Sequence, residues 1–132
     1  MQIQENISLK DYNTFGIDVK ARFFSSFHTL DELEEHTEYT AKNKSASGLL
    51  ILGGGSNILF TKDYDGTVLK NEISGIEELH EDDEYVFVKC GAGENWHRFV
   101  QHCISRNWAG VENLSLIPGN TGASPMQNIG AY

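Results

Sequence analysis

Hydrophobic positions in the first half of the chain form two strand-like runs with one helical pattern between them. ARFFSSF at 21–27 and LLIL at 49–52 have the residue types of strands, and LLIL is continuous, as in a buried parallel strand. Between them, Thr29 and Glu32 have the spacing of a capping box, so a helix is expected to begin there. The positions at helical spacing that would face the core are Leu30, Leu33, Thr37 and Ala41. This order predicts a right-handed βαβ unit.

The second half of the chain predicts two further strands, a second helix and a long loop. GTVLKN at 66–71 and EYVFVKCG at 84–91 have strand composition, and with the acidic turn 81–84 they favour an antiparallel set. The apolar positions after Asn95 that follow the helical period are Trp96, Phe99, Val100, Cys103 and Ile104. The segment 110–132 has no period and is rich in Gly, Pro, Asn and Ser. Because a loop of this length in a folded domain is usually functional or disordered, its apolar residues favour a functional role.

Three consecutive glycines at 53–55, followed by Ser56 and Asn57, concentrate bare backbone directly after LLIL. They do not form a P-loop, because no Gly-Lys-Ser/Thr follows them, nor a dinucleotide fingerprint, because Ile58 occupies the place of its third glycine. Successive glycines can still turn backbone N–H groups inward and form an anion-binding concavity that requires no lysine. Such a concavity suits a pyrophosphate, and a tight turn without a ligand is the alternative interpretation.

Composition and charge narrow the classes of partner. The 132 residues carry a net charge of −9, which opposes non-specific binding to nucleic acid and to anionic membranes. No window approaches the run of apolar residues that a membrane helix requires, and the two cysteines are isolated. We therefore expect a cytoplasmic protein without nucleic-acid or membrane partners, in which an anionic ligand is held by local groups.

The residues that most often bind metals lack the spacing of a metal site. The five histidines, which we interpret as solvated surface residues, are His28, His36, His80, His97 and His102. Cys90 and Cys103 are interpreted as core residues, and the acidic run 77–84 as a solvated hairpin turn. No metal site and no hydrolase nucleophile is predicted.

Several motifs together are more specific than any one of them. They are NTFG at 13–16, ILGGGSNILF at 51–60, DYDGTV at 63–68, GAGENWH at 91–97 and LSLIPGNTGASPMQNIGAY at 114–132. In order and spacing they resemble the amino-terminal half of the UDP-N-acetylenolpyruvoylglucosamine reductase family, which consists of bacterial flavoenzymes. The resemblance extends from about residue 13 to the last residue.

This resemblance implies an α+β fold, namely a truncated two-lobed FAD-binding domain of the vanillyl-alcohol-oxidase (PCMH) type with the flavin between the lobes. Residues 1–65 would form the first lobe, built on the βαβ unit. Residues 66–132 would form an incomplete second lobe, and the family's substrate-binding domain would be absent. The two glycine-rich segments at 53–55 and 91–93 would then both serve the flavin.

The resemblance also assigns site residues to the two lobes. The residues matched to the FAD pyrophosphate turn are Gly53, Gly54, Gly55, Ser56, Asn57 and Ile58. Those matched to the ribityl chain and isoalloxazine ring are Ile117, Pro118, Gly119, Gly122, Ala123, Ser124, Gln127 and Ile129. Tyr132 would border the active site. Because we expect a positive φ at Gly55, a β-branched residue there should weaken FAD binding.

The family uses NADPH to reduce the flavin, which passes hydride to the enolpyruvyl group of a UDP-sugar in peptidoglycan precursor synthesis. Its catalytic arginine, serine and glutamate match no residue here, so the resemblance implies a truncated chain that contains no catalytic residue and is inactive alone. Two alternatives stay open: another flavin oxidoreductase of the same superfamily, and a non-catalytic nucleotide-binding or interaction module. An apolar edge exposed by truncation would favour a dimer.

Overall fold

The computed structural model describes residues 2–42, 47–127 and 129–130. Contacts divide the chain into two units, Met1–Glu72 and Ile73–Tyr132. The division therefore falls after Glu72 and not after residue 65, where the sequence predicted it. The cause is the strand Tyr64–Asn71, which pairs within the first unit.

The first unit is built on a four-stranded sheet and one helix. Strand β4 (Tyr64–Asn71) runs parallel to both of its neighbours, and β1 runs antiparallel to β2. The order across the sheet is β1-β2-β4-β3. The other elements are β1 (Gln4–Ser8), a 3₁₀ turn at Lys10–Tyr12, β2 (Lys20–Phe27), α1 (Leu30–Lys42) and β3 (Leu49–Leu52).

The position of β4 corrects two expectations. The two strands of the predicted βαβ unit, β2 and β3, are not neighbours, because β4 lies between them and pairs with both. The GTVLKN segment therefore belongs to this mixed sheet, where it pairs in parallel with both neighbours, and not to an antiparallel set. LLIL is consequently an edge strand, and Leu49 and Ile51 are 40% and 46% exposed where burial was expected.

Helix α1 begins where the capping-box spacing predicted, but the face that it buries is not the one that the apolar positions predicted. Thr29 Oγ1 accepts the Glu32 N–H at 3.1 Å, and the Glu32 carboxylate accepts the His28 N–H at 2.6 Å. These bonds satisfy amide groups that a helix start leaves without partners. Leu30 is 72% exposed, whereas His36 is buried, with Nε2 3.3 Å from Ser25 Oγ on β2. The prediction of a solvated His36 is therefore wrong.

The second unit contains a hairpin and a helix, and only the helix follows the local pattern. The first strand of the hairpin, Ile76–Glu81, was not predicted, because the sequence assigned the acidic run 77–84 to a turn and the pairing with Val86–Cys90 makes most of that run extended. Strands β5 (Ile76–Glu81) and β6 (Val86–Cys90) are antiparallel, and the Asp82 carboxylate accepts two N–H groups in the acidic turn. Helix α2 (Trp96–Ser105) buries Trp96, Val100 and Cys103, as predicted, while Ile104 is exposed. Two 3₁₀ turns, Glu112–Leu114 and Thr121–Ala123, interrupt the loop that follows.

Asn95 caps helix α2, because its Oδ1 accepts the Arg98 N–H at 3.1 Å. We expect Asn95→Ala to lower the free energy of unfolding by about 1 kcal/mol, the usual cost of losing such a cap. Urea denaturation followed by circular dichroism measures this change. Gln101→Ala, at an exposed position of the same helix, is the control and should change the free energy by less than about 0.5 kcal/mol. Equal effects of the two substitutions would contradict a capping role.

Candidate functional site

The glycine loop, Gly53–Asn57, directly follows β3, and the backbone of the first unit packs closely against it. Gly55 is buried and has a φ of +69°, which confirms the expected positive φ. A Cβ on Gly55 would overlap the carbonyl oxygen of Tyr12 and lie 3.0 Å from Cα of Asn13. Position 55 therefore requires glycine both for its backbone conformation and for its lack of a side chain.

Hydrogen bonds hold two carbonyl groups of the glycine loop, those of Gly53 and Gly55. The Gly55 carbonyl accepts the N–H and Oγ1–H of Thr14 at 3.0 and 3.2 Å. The Gly53 carbonyl accepts Lys70 Nζ at 2.7 Å. Within the described residues, the backbone N–H groups of 54–57 donate to no protein acceptor. The loop thus has the donor composition of an anion-binding concavity.

The NTFG motif forms the wall against which the glycine loop packs. The buried Asn13 amide donates to the carbonyls of Leu9 and Ile17 at 2.7 and 3.0 Å, and its Oδ1 accepts the Ile17 N–H at 3.0 Å. These bonds close the turn that presents Thr14 to Gly55. The sequence marked NTFG only as part of a resemblance, since nothing local connects it with a loop about forty residues away.

Lys70 is a site residue that sequence reasoning missed. It lies on β4 beside Leu52, the last residue of β3, so its side chain lies at the edge of the sheet where the glycine loop begins. The side chain is partly buried, and this burial lowers the pKa of the ammonium group, while the nearby Glu72 opposes the shift. No local signal identified Lys70, because the sequence assigned its strand to the other lobe.

Ile58, the last residue predicted for the pyrophosphate turn, has a structural role in the first unit. Its partly buried side chain packs against the core cluster that contains Phe24, Leu52 and Val68. Tyr12 contacts the same cluster, with its ring 4.6 Å from that of Phe24. Both ends of the glycine loop are therefore attached to the core, which fixes the loop's path.

The predicted ribityl and isoalloxazine residues lie in the second unit, in a segment that pairs with GAGENWH. The Gly119 carbonyl accepts the Trp96 N–H at 3.0 Å. The amides of Thr121 and Gly122 donate to the carbonyls of Glu94 and Ala92 at 2.8 and 3.1 Å. A Cβ on Gly122 would lie 2.6 Å from the Ala92 Cβ. Gly122 therefore permits a close approach of two chain segments.

GAGENWH itself does not offer the free amides that the first glycine loop offers. The N–H groups of Gly91 and Gly93 donate to Gly75 and Ile73, each at 2.8 Å, and the Glu94 N–H donates to Gly91. The bonds of Gly91 and Gly93 give these two glycines a structural role, and flavin binding by 91–93 stays a prediction. A Cβ on Gly91 would overlap the Ile73 carbonyl oxygen, so glycine at this position permits the close approach of the two segments.

The rest of the segment is held by its own bonds and by α2. The buried Asn120 donates its amide to the Gly93 carbonyl at 2.9 Å, and the Gln127 N–H donates to the Ala123 carbonyl at 3.0 Å. Ser124, Gln127 and Ile129 are half-buried, as are Ile117 and Ala123, whereas Pro118 is exposed. Tyr132 lies outside the described residues.

Helix α2 holds the preceding part of the loop through two side chains. Trp96 Nε1 donates to the Leu114 carbonyl at 2.8 Å, and His97 Nδ1 lies 2.9 Å from Ser115 Oγ. His97 is half-buried, as is His102, so the prediction of solvated surface histidines is wrong for both. The long loop after α2 is consequently ordered by specific bonds between Leu114 and Gln127.

The cysteines and histidines of the described ranges form no metal-ligand group, and no helix there is long and apolar enough to span a membrane. Cys103 is buried, as predicted, while Cys90 is half-buried, and both thiols are free. Burial raises the pKa of each thiol, which keeps it in the poorly nucleophilic protonated form. Neither cysteine has the environment of a catalytic nucleophile.

Comparison with known proteins identifies close relatives along the whole chain. A UDP-N-acetylenolpyruvoylglucosamine reductase of Flavobacterium johnsoniae is 50% identical over 132 residues, which are 100% of this chain and 38% of the relative. The reductase of the same name from Bacteroides fragilis is 49% identical over 98% of this chain and 38% of its own length. The chain therefore spans about 38% of the length of these relatives.

A solved structure agrees in fold. The crystal structure of UDP-N-acetylenolpyruvylglucosamine reductase from Thermus caldophilus matches with a TM-score of 0.69 and 26% identity, covering 94% of this chain and 41% of that one. The predicted α+β fold is confirmed by this match. The family model described as "FAD binding domain" matches residues 22–132. The chain therefore belongs to the FAD-binding domain family, and FAD is the cofactor of that family.

Proposed function

We propose that this chain is the FAD-binding part of a UDP-N-acetylenolpyruvoylglucosamine reductase, and that the glycine loop binds the pyrophosphate of FAD. The observation that carries the proposal is the set of backbone amides at 54–57, which have no acceptor among the described residues. A pyrophosphate supplies acceptor oxygens for such donors. The names of the relatives support the choice of reductase.

Each part of the loop has a separate task in this proposal. The amides of Gly54 and Gly55 donate to phosphate oxygens, together with those of Ser56 and Asn57, whose side chains add donors at the rim. Gly53 and Ile58 attach the loop to its sheet and core. The Thr14 bonds to the Gly55 carbonyl keep this acceptor occupied, so that donors predominate in the loop.

The second unit is proposed to contribute the contacts to the ribityl chain and the isoalloxazine ring. The backbone amides of 121–124 are already paired, so these four residues would contact the flavin through side chains and molecular surface. The proposed residues are Ile117, Pro118, Gly119, Gly122, Ala123, Ser124, Gln127 and Ile129. When bound, FAD supplies the hydride-transfer chemistry of its isoalloxazine ring.

For the whole protein we propose NADPH as the reductant, the enolpyruvyl UDP-sugar as the substrate and the cytoplasm as the location. The resemblance assigns none of these 132 residues to proton transfer. The chain is therefore expected to bind FAD without turning over the substrate. Steady-state NADPH oxidation in the presence of the UDP-sugar should stay at the rate of free FAD.

FAD binding by the 132-residue chain is the direct test. We expect FAD to bind with a perturbed visible absorbance spectrum, and riboflavin, which has no phosphate, to bind at least about tenfold more weakly because the loop's donors lose their acceptors. Titration followed by difference absorbance and fluorescence measures both affinities. An unperturbed spectrum at high micromolar FAD would count against the proposal.

A matched pair of variants tests the place of the pyrophosphate. Asn57→Asp adds a negative charge to the exposed rim of the glycine loop, and like-charge repulsion should weaken FAD binding by about tenfold or more. Asn113→Asp makes the same chemical change at an exposed position of the second unit and should leave the affinity within about twofold. Equal effects of the two variants would place the pyrophosphate elsewhere.

A further inference from the structure

The ammonium group of Lys70 lies at the first residue of the glycine loop. Its Nζ donates to the Gly53 carbonyl at 2.7 Å. An ammonium group carries three N–H donors, and no acceptor for the other two is found in the described part of the chain. The neighbouring carboxylate, Glu72, pairs instead with His28, with Oε2 3.2 Å from Nε2. Lys70 therefore has donor capacity beside the loop that the fold itself does not use.

The environment of Lys70 favours an anionic partner. Burial lowers the pKa of its ammonium group, because the charged form has lost part of its hydration. A phosphate oxygen would replace the lost water with a charge-assisted hydrogen bond. The chain has a net charge of −9, so an anionic ligand needs a local cation of this kind.

The strand register explains why the side chain of a lysine at position 70 can reach the glycine loop. Lys70 pairs with Leu52 across the parallel strands β4 and β3, and the loop begins at the next residue, Gly53. Ligands of open α/β sheets bind at the carboxyl ends of such strands. The cation thus comes from a neighbouring strand, whereas a P-loop carries its lysine within the loop.

We propose that Lys70 has two simultaneous roles: it holds the glycine loop through the Gly53 carbonyl, and it donates its remaining N–H groups to the FAD pyrophosphate. This inference rests on the proposed function of the loop. It assigns to β4 a ligand-binding residue that lies outside the glycine motif. It also replaces the sequence-based view that this concavity requires no lysine.

Two neutral variants test Lys70 in the 132-residue chain. Lys70→Met and Lys70→Gln should each weaken FAD binding by about 10- to 30-fold, because a hydrogen bond to a charged group is lost. Riboflavin affinity should stay within about twofold, because riboflavin has no pyrophosphate and so makes no contact with Lys70 that the substitution could remove. The affinity of the unsubstituted chain should also fall more steeply with added NaCl than that of either variant, because salt screens the charge.

The control is Lys89→Met, which removes an equal charge from an exposed position of the second unit and should leave FAD affinity within about twofold. Thermal unfolding identifies any variant that does not fold. The test requires only that one of the two Lys70 variants folds. The inference is overturned if that variant binds FAD as tightly as the unsubstituted chain, or if FAD and riboflavin weaken equally, as a merely structural role predicts. Failure of the unsubstituted chain to bind FAD would instead overturn the proposed function.

Discussion

Gly55→Ala is expected to lower the free energy of unfolding by more than about 4 kcal/mol, the largest effect of any substitution considered for this chain. The positive φ of +69° by itself costs a residue with a Cβ about 1 to 2 kcal/mol. The remainder arises because the new Cβ overlaps the Tyr12 carbonyl oxygen, a backbone atom that cannot rotate away. Urea denaturation followed by circular dichroism measures the loss, and Gly55→Val should be at least as damaging.

Gly16→Ala is the matched control for this substitution. Gly16 has a similar φ of +64°, but a Cβ added there would meet no atom within 4 Å. It should therefore show only the backbone cost of about 1 to 2 kcal/mol. The difference between the two variants isolates the overlap with Tyr12. If both variants lost the same free energy, the close approach at Gly55 would not exist in solution.

Asn13→Ala is expected to lower the free energy of unfolding by about 2 to 3 kcal/mol, mainly because the backbone N–H of Ile17 loses its acceptor. The Leu9 and Ile17 carbonyls keep second donors, the N–H groups of Tyr12 and Val19 at 3.0 and 3.1 Å. The Ile17 N–H, in contrast, donates to Asn13 Oδ1, and no second acceptor for it is found among the described residues. The substitution leaves that amide without a partner and also releases the turn that carries Thr14.

Asn113→Ala, on an exposed 3₁₀ turn of the second unit, is the control and should stay within about 0.5 kcal/mol. Guanidinium titration distinguishes the two. FAD titration of Asn13→Ala adds a functional measurement, since the Thr14 bonds to the Gly55 carbonyl depend on this turn. An Asn13 variant with unchanged stability would show that the turn holds without its side chain.

Local features of the fold could be predicted from sequence because the interactions that cause them span only a few residues. The Thr29–Glu32 cap joins groups within one helical turn. The acidic hairpin turn closes on the Asp82 carboxylate, which bonds the amides of the next residues. The location of the glycine loop after a strand followed from the same kind of local pattern.

Partner choice between distant segments could not be predicted in this way. Strand composition indicated that 66–71 is extended, but composition does not say which edge a strand joins. The inner face of α1 was assigned from apolar residues, whereas burial of His36 depends on the opposing Ser25 of β2. A pattern reports the residues of one segment and carries no information about the surface that covers them.

The sequence by itself determined that this chain has an α+β fold, a glycine loop suited to an anion and the motifs of a flavoenzyme family. Only the tertiary structure decided how that loop is held: Thr14 and Tyr12 approach Gly55, and Lys70 reaches Gly53 from β4. The physical reason is range. Caps and turns depend on neighbours in sequence, whereas these contacts form only after packing brings remote backbone segments together.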